Sequence, residues 1–291
     1  MSLRSFLFTP GNHARRMEKT LTAETDGVML DLEDAVASAE KPGARATIVE
    51  YLSRPRGARK AYVRVNDLTT DWSFGDFAAV VVKGLDGILL PKVESATDLR
   101  IADYLISSLE RDRGLPKGSI DLMAIIETAK GAEVMGEIVR ATPRVKRVCF
   151  GSGDFTNDTS TAWTLDNPLT AFCRAQLAIV SRAAGIEPPI DTVWSNLDDE
   201  AGLIAESKSA RDMGYQGKMT IHPKQLEIVN RTFSPSPEEV AFAKKLCDAF
   251  DAAEASGSSA IVVDGKFVDY PVVFRARSLL ETAQRMGMPA G

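Results

Sequence analysis

Short apolar runs, each followed by a longer amphipathic stretch, recur eight times before residue 235. This alternation constrains the fold more than any other feature of the chain. Strands are predicted at 3–8 (LRSFLF), 27–32 (GVMLDL), 61–66 (AYVRVN), 86–91 (DGILLP), 121–126 (DLMAII), 146–151 (KRVCFG), 190–194 (IDTVW) and 217–222 (GKMTIH). Several are apolar almost throughout, as parallel strands covered on both faces must be. Helices are predicted near 12–24, 41–53, 74–83, 95–111, 129–142, 167–185, 199–213 and 223–231. In the fourth, Leu99, Ala102, Leu105, Ile106 and Leu109 make one apolar stripe at helical spacing. Eight strands alternating with eight helices is the arithmetic of an α/β chain folded as a (β/α)8 TIM barrel. A doubly wound sheet is the competing architecture. It usually carries a G-x-G-x-x-G turn after its first strand, and the turn here is Thr9-Pro10-Gly11-Asn12.

After residue 235 the pattern changes. Ser234-Pro235-Ser236-Pro237 ends one helix and starts another, with Ser236 as N-cap and Pro237 at the first helical position. That helix runs to about Ala255 and stops at Gly257-Ser258-Ser259. An extended piece over 260–268 contains the turn Asp264-Gly265, and a last helix covers roughly 271–286. We therefore expect a catalytic barrel over 1–235 and a C-terminal helical extension over 236–291. A barrel closed by residue 235 does not need the extension for its own core, so the extension is expected to pack on a neighbouring subunit.

Composition narrows the function. Hydrophobic residues at 44% and charged residues at 26% are ordinary for a globular chain and argue against wholesale disorder. The formal net charge is −5 and no basic stripe is present, which argues against nucleic-acid binding, where phosphate neutralisation supplies most of the affinity. The N-terminal apolar stretch is too short for a signal peptide, and no window approaches the roughly 20 apolar residues of a membrane span. Cys149, Cys173 and Cys247 lie far apart with only His13 and His222 to join them, which does not make a zinc site. They read as buried free thiols in a reducing compartment, and the expected location is the cytoplasm.

Barrel active sites lie where the strands end, so the residues that close each strand are the candidates. They are Asp31, Glu33 and Asp34 after the second strand, Arg64 and Asn66 on the third, Lys92 and Glu94 after the fourth, Glu127 after the fifth, Asp154 after the sixth and His222 after the eighth. Carboxylates crowded on one rim repel one another unless a cation sits among them. One or two carboxylates, completed by waters and substrate oxygens, describe a Mg²⁺ site. Glu127 in IIETAKG and Asp154 in FGSGDF are the best ligand candidates; a solvated glutamate at a helix start and an aspartate capping a turn are the plain alternatives. Arg64, inside Val63-Arg64-Val65-Asn66, is costly in a barrel strand unless it pairs with an anion. That anion is either a structural partner, Asp31 or Glu33, or a substrate carboxylate held by the guanidinium fork. The segment Asp31-Leu32-Glu33-Asp34-Ala35-Val36 could cap the helix that follows; its extra acids, Glu33 and Asp34, are otherwise placed to hold metal-bound water or orient Arg64. His222, followed by Pro223, organises the last loop and receives no catalytic role.

At these residues the chain resembles the HpcH/HpaI aldolase and citrate lyase family, and within it the citrate lyase β-subunit-like proteins. The resemblance is carried by LFTPGN at 7–12, DLEDAV at 31–36 with Lys41 and Arg45 after it, VRVN at 63–66 and PKVES at 91–95. It continues through ETAKG at 127–131, FGSGDF at 150–155, IDTVW with DDEAGL at 190–203, and GKMTIHPKQ at 217–225. The resemblance implies a (β/α)8 barrel, a Mg²⁺ held by Glu127 and Asp154, and Arg64 on the oxo-acid portion of the substrate. It implies a carbon–carbon lyase that cleaves or forms a 3-hydroxyacyl thioester. The substrate would be malyl-CoA, citramalyl-CoA, a citryl thioester or the corresponding acyl-carrier ester. It also implies that Asp269, in DGKFVDYP at 264–271, acts across a subunit interface as a proton-transfer group, in a homo-oligomer of trimeric or hexameric type. After Asp154 the chain departs from the family pattern, reading Thr156-Asn157-Asp158-Thr159-Ser160-Thr161, which leaves the substrate's identity open. An aldolase acting on a free acid, and a subunit active only with an acyl-carrier partner, are the alternative readings.

Overall fold

The computed structural model describes residues 3–288. All eight expected strands form, within a few residues of their expected limits: β1 (Ser5–Pro10), β2 (Gly27–Asp31), β3 (Lys60–Arg64), β4 (Gly87–Leu90), β5 (Asp121–Ile126), β6 (Val145–Phe150), β7 (Ile190–Asp191) and β8 (Gly217–Thr220). They pair in parallel and in sequence order, and β1 closes the ring against β8 with Leu7 opposite Thr220. The (β/α)8 barrel is the fold, and the doubly wound sheet is excluded.

The helices are α1 (Ala14–Thr20), α2 (Lys41–Leu52), α3 (Ser73–Val80), α4 (Ala96–Asp112), α5 (Ala129–Glu133), α6 (Met135–Ile138), α7 (Ser152–Asp158), α8 (Pro168–Ala184), α9 (Glu200–Asp212), α10 (Leu226–Thr232), α11 (Pro237–Ala255) and α12 (Tyr270–Arg285). Their boundaries have local causes. Ser95 and Asp98 form a capping box at the start of α4, Asn167 caps α8 with Pro168 behind it, and Gly185 ends α8 at φ 72°. The stretch expected as one helix over 129–142 is broken into α5 and α6 at Val134. Helix α7 was not expected, because Gly151-Ser152-Gly153 reads as a turn; the helix begins on Ser152 itself.

Side chains alternate between the two faces of each strand. One face fills the lumen with Phe6, Met29, Tyr62, Met123, Ile125 and Cys149 among others. The opposite face packs against the helices through residues such as Val28, Leu30, Ile88, Ile126 and Phe150. The lower lumen ends in a polar plug: the Tyr62 hydroxyl donates to Asp121 at 2.6 Å, and Arg147 donates to the Tyr62 oxygen at 2.6 Å. A second buried network joins β7 and β8 to α8 and α9. Arg174 forks onto Asp191 at 2.9 Å through both Nε and Nη2, and fully buried Lys218 bridges Asp191 and Glu206. Four buried charges that neutralise one another avoid the several kcal/mol that each lone ion would cost.

By chain contacts the barrel unit runs from Leu3 to Asn230, and a second unit begins at Arg231. Within the second unit, α11 starts from a Ser236–Glu239 capping box, and Phe250, Val263, Val268 and Val273 are buried in its core. Its hairpin pairs β9 (Ile261–Val263) with β10 (Lys266–Val268) through Asp264 and Gly265, both at positive φ. All three cysteines are free and buried. Among the described residues no helix is long and apolar enough to cross a membrane.

Candidate active site

The same alternation that fills the lumen places charge at its upper end. Asp31 stands two residues beyond Met29, Arg64 two beyond Tyr62, and Glu127 two beyond Ile125, so each turns inward where its strand ends. Asp31 and Arg64 are direct partners in the β2–β3 register. Arg64 Nε donates to Asp31 Oδ1 at 2.7 Å and Nη2 to Oδ2 at 2.6 Å. Of the two roles considered for the guanidinium fork, the structure therefore shows the structural pair with Asp31. Nη1 lies 2.8 Å from Glu33 Oε2, yet that oxygen receives no directed hydrogen bond, and the guanidinium sits 5.0 Å from the Phe8 ring centre. A guanidinium has five N–H donors, so donors beyond the fork remain for a ligand. Burial pushes the Asp31 carboxyl up, but Arg64 and the Glu33 and Ala35 amides outweigh it and hold Asp31 below its ordinary range. Arg64 in turn is raised: burial opposes its charge, and Asp31 and Glu33 more than restore it.

The loop after β2 is clamped from beneath. Buried Lys41 donates to the carbonyls of Leu32 (2.6 Å) and Glu33 (2.7 Å) and to Asn66 Oδ1 (2.7 Å). Asn66 donates to Asp76 at 2.6 Å, and Asp76 also accepts from Arg45 Nε at 2.8 Å. Lys41 and Arg45 thus hold the backbone that presents Glu33. Asp34 is exposed and its carboxylate lies 3.9 Å from Lys92 Nζ.

Glu127 is the most perturbed carboxyl of the group. It is 2% exposed, and burial first, then the charges of Glu33 and Asp154, push it up to about 8 against the opposing pull of Arg64 and the Lys92 amide. Gly151 makes room for it: a β-carbon there would lie 2.5 Å from Glu127 Oε2 and 2.8 Å from its Cβ. The absence of a side chain at position 151 thus admits the Glu127 carboxylate. Asp154, half-buried, lies in the first turn of α7. Burial also raises Glu33, with Arg64 and Lys92 as its counter-charges.

These residues fit a Mg²⁺. The donors are hard oxygens, a buried one is pushed up to about 8 by burial and then by its neighbours' charge, and a cation would relieve that repulsion. Among the described residues no three metal-binding side chains form a ready-made cage.

Two clefts flank the cluster. One of about 180 Å³ is lined by Phe8, Pro10, Ala35, Val193 and Ile221 beside Arg64; the other, about 350 Å³, runs past Lys92, Thr128 and Lys130. The other expected residues have local partners. Glu94 pairs with exposed Lys130 at 3.0 Å. His222 accepts the Lys224 amide through Nδ1 at 3.1 Å and caps the turn that follows. Asp269, in the second unit, caps α12.

Lys92 stands at the rim, and nothing in its local sequence gives it a part. Its φ is +48°, a left-handed backbone that costs a non-glycine residue about 1–3 kcal/mol. In that conformation its amide donates to Glu127 Oε1 at 2.8 Å and its Nζ to Glu33 Oε1 at 2.8 Å. Asp76 was also missed; nothing in its local sequence separates it from a solvated helix residue.

The family model described as HpcH/HpaI aldolase/citrate lyase matches residues 4–223. Citrate lyase subunit beta of Leuconostoc mesenteroides subsp. cremoris is 36% identical over 281 residues, covering 96% of this chain and 93% of that protein. A (3S)-malyl-CoA thioesterase of Cereibacter sphaeroides is 37% identical over 282 residues, covering 97% and 94%. Among solved structures, CitE from Mycobacterium tuberculosis in complex with magnesium, acetoacetate and coenzyme A superposes with a TM-score of 0.79. It is 28% identical, and the match covers 97% of this chain and 98% of that one.

Proposed function

The chain belongs to the HpcH/HpaI aldolase/citrate lyase family, and on that premise we propose that it is a Mg²⁺-dependent carbon–carbon lyase. Its substrate would be a 3-hydroxyacyl thioester such as malyl-CoA, citramalyl-CoA or a citryl thioester. The products would be a 2-oxo acid and an acetyl thioester. The observation that carries the reading is the juxtaposition of Glu127, raised by burial and by Glu33 and Asp154, with an Arg64 already anchored on Asp31. The magnesium, acetoacetate and coenzyme A in the similar CitE structure support it.

Glu127 and Asp154 would hold the cation. Bound there, it supplies Lewis-acid stabilisation of negative charge on the substrate's oxygens. Arg64, through donors not spent on Asp31, would hold the substrate carboxylate, and Glu33 keeps the guanidinium from swinging away. The substrate hydroxyl loses its proton and the carbon–carbon bond breaks. The bond's electron pair passes to the acetyl carbon, which then takes up a proton. Asp269 of a neighbouring subunit would carry that proton, so the extension over 236–291 would complete a neighbour's site in a homo-oligomer, trimeric or hexameric. Buried reduced thiols support a cytoplasmic setting.

The test is a panel of malyl, citramalyl and citryl thioesters and free hydroxy-oxo acids, with and without EDTA, following 2-oxo acid and free thiol separately. EDTA, Glu127→Gln and Asp154→Asn should each abolish release of the oxo acid; retained activity in both variants refutes the metal assignment. The Cereibacter relatives support a second reading, thioester hydrolysis, which would release free thiol without 2-oxo acid. Cleavage of free acids would favour the aldolase, and activity only on adding an acyl carrier would favour the complex subunit.

A further inference from the structure

Lys92 is one of three non-glycine residues at positive φ among the described residues. The other two stand elsewhere: Asp264 in the tail hairpin and Ser160 just beyond α7. Lysine, unlike asparagine or aspartate, is not enriched in this conformation, so the observed backbone asks for a cause. The cause on the page is a pair of contacts. The left-handed turn aims the amide at Glu127 Oε1, and it lets the side chain reach Glu33 Oε1, both at 2.8 Å. One residue therefore touches two carboxylates that repel each other.

The two contacts differ in permanence. The amide is fixed by the backbone. The ammonium is on a flexible stem whose side chain keeps 34% of its surface exposed, against 12% for Arg64. Arg64 is committed to Asp31 by its fork, so Lys92 is the cation of this cluster that can leave. Its charge meets Glu33, and more distantly Asp34 and Asp154. A divalent cation held by Glu127 and Asp154 would repel the ammonium, which faces the charge of Asp154 as well as that of Glu33.

We propose that Lys92 is a positioning residue with two separate functions: its amide mounts Glu127 for the metal, and its ammonium is a resident counter-ion of Glu33 that the divalent cation must displace. This rests on the metal reading above. The ammonium then stabilises the Glu33 carboxylate in the metal-free protein at the expense of metal affinity, and its release accompanies metal entry.

The experiment measures Mn²⁺ binding to the substrate-free full-length protein by calorimetry, for the wild type, Lys92→Met, Lys92→Gly and Lys92→Arg. Removing one nearby positive charge should tighten binding by roughly tenfold in Lys92→Met and Lys92→Gly. Lys92→Gly allows the left-handed backbone without strain and keeps the amide, so it reports on loss of the side chain even where Lys92→Met loses the fold. Lys92→Arg should bind within about twofold of the wild type, because the charge is retained. A merely structural lysine would give weaker binding on removal. Unchanged or weaker Mn²⁺ binding in Lys92→Gly overturns the displacement, whatever happens to turnover. If the wild type itself binds no Mn²⁺, or if Glu127→Gln binds it equally well, the metal reading fails instead and takes this inference with it.

Discussion

Replacing Glu127 by Gln should make the metal-free protein more stable while removing its metal site, and the size of the gain can be worked from the site. A carboxyl raised from 4.5 to about 8 keeps its proton in the folded state where the unfolded chain has released it. The folded state therefore binds more protons between those two values, and stability falls as pH rises across that window, reaching its full loss above pH 8. At about 1.4 kcal/mol per unit, the ceiling is about 5 kcal/mol. Glutamine has no proton to lose and lacks this slope. With metal removed by EDTA, urea midpoints of wild type and Glu127→Gln should diverge from pH 5.5 to pH 8.5, the variant becoming the more stable. Even a third of the ceiling is worth several degrees of Tm at about 2–4 °C per kcal/mol. Saturating Mg²⁺ should restore the wild type, by binding only the folded state, and leave the variant unmoved. A difference between the two proteins that does not change with pH would refute the reasoning, because it would mean that Glu127 ionises in its pocket at no cost.

Gly151→Ala should displace Glu127, since its β-carbon would fall 2.5 Å from Oε2; the expected result is a loss of about 1–3 kcal/mol of stability and at least tenfold weaker Mg²⁺ binding, read by denaturation and calorimetry. Asp269→Asn keeps a good N-cap on α12 but no acid, so turnover should fall with stability almost unchanged, whereas Asp269→Ala should also lose about 1 kcal/mol. Mixing Asp269→Ala with Arg64→Ala subunits should recover part of the activity if the acid crosses a subunit boundary, and no recovery would argue against sharing.

The architecture was legible because it repeats. Eight apolar runs separated by amphipathic stretches leave few alternatives, and Ser236-Pro237 and Asp264-Gly265 mark local backbone choices that depend on neighbours in sequence. Asp31, Arg64 and Glu127 were visible for the same reason: each is a charged residue at the end of an apolar run, where a barrel places its site. Helix α7 was hidden because glycines flank its first residue, and local sequence alone reads them as a turn.

What these residues do to one another was not legible. The fork of Arg64 closes on Asp31 because β2 and β3 pair in one register out of several that the pattern permits. Glu127 is pushed up to about 8 by burial first and then by the charges of Glu33 and Asp154, both remote from it in sequence. Lys92 bends to a left-handed backbone to reach two carboxylates, and Arg174, Asp191, Glu206 and Lys218 cancel one another's charge inside the wall. By itself the sequence determined the barrel, its order and the inward charges at its mouth, because periodicity and chain punctuation are local properties. Only the tertiary structure decided which charges pair and which carboxyl is buried beside others. Pairing depends on contacts of about 3 Å between distant segments, and the energy of a buried charge depends on every neighbour at that range.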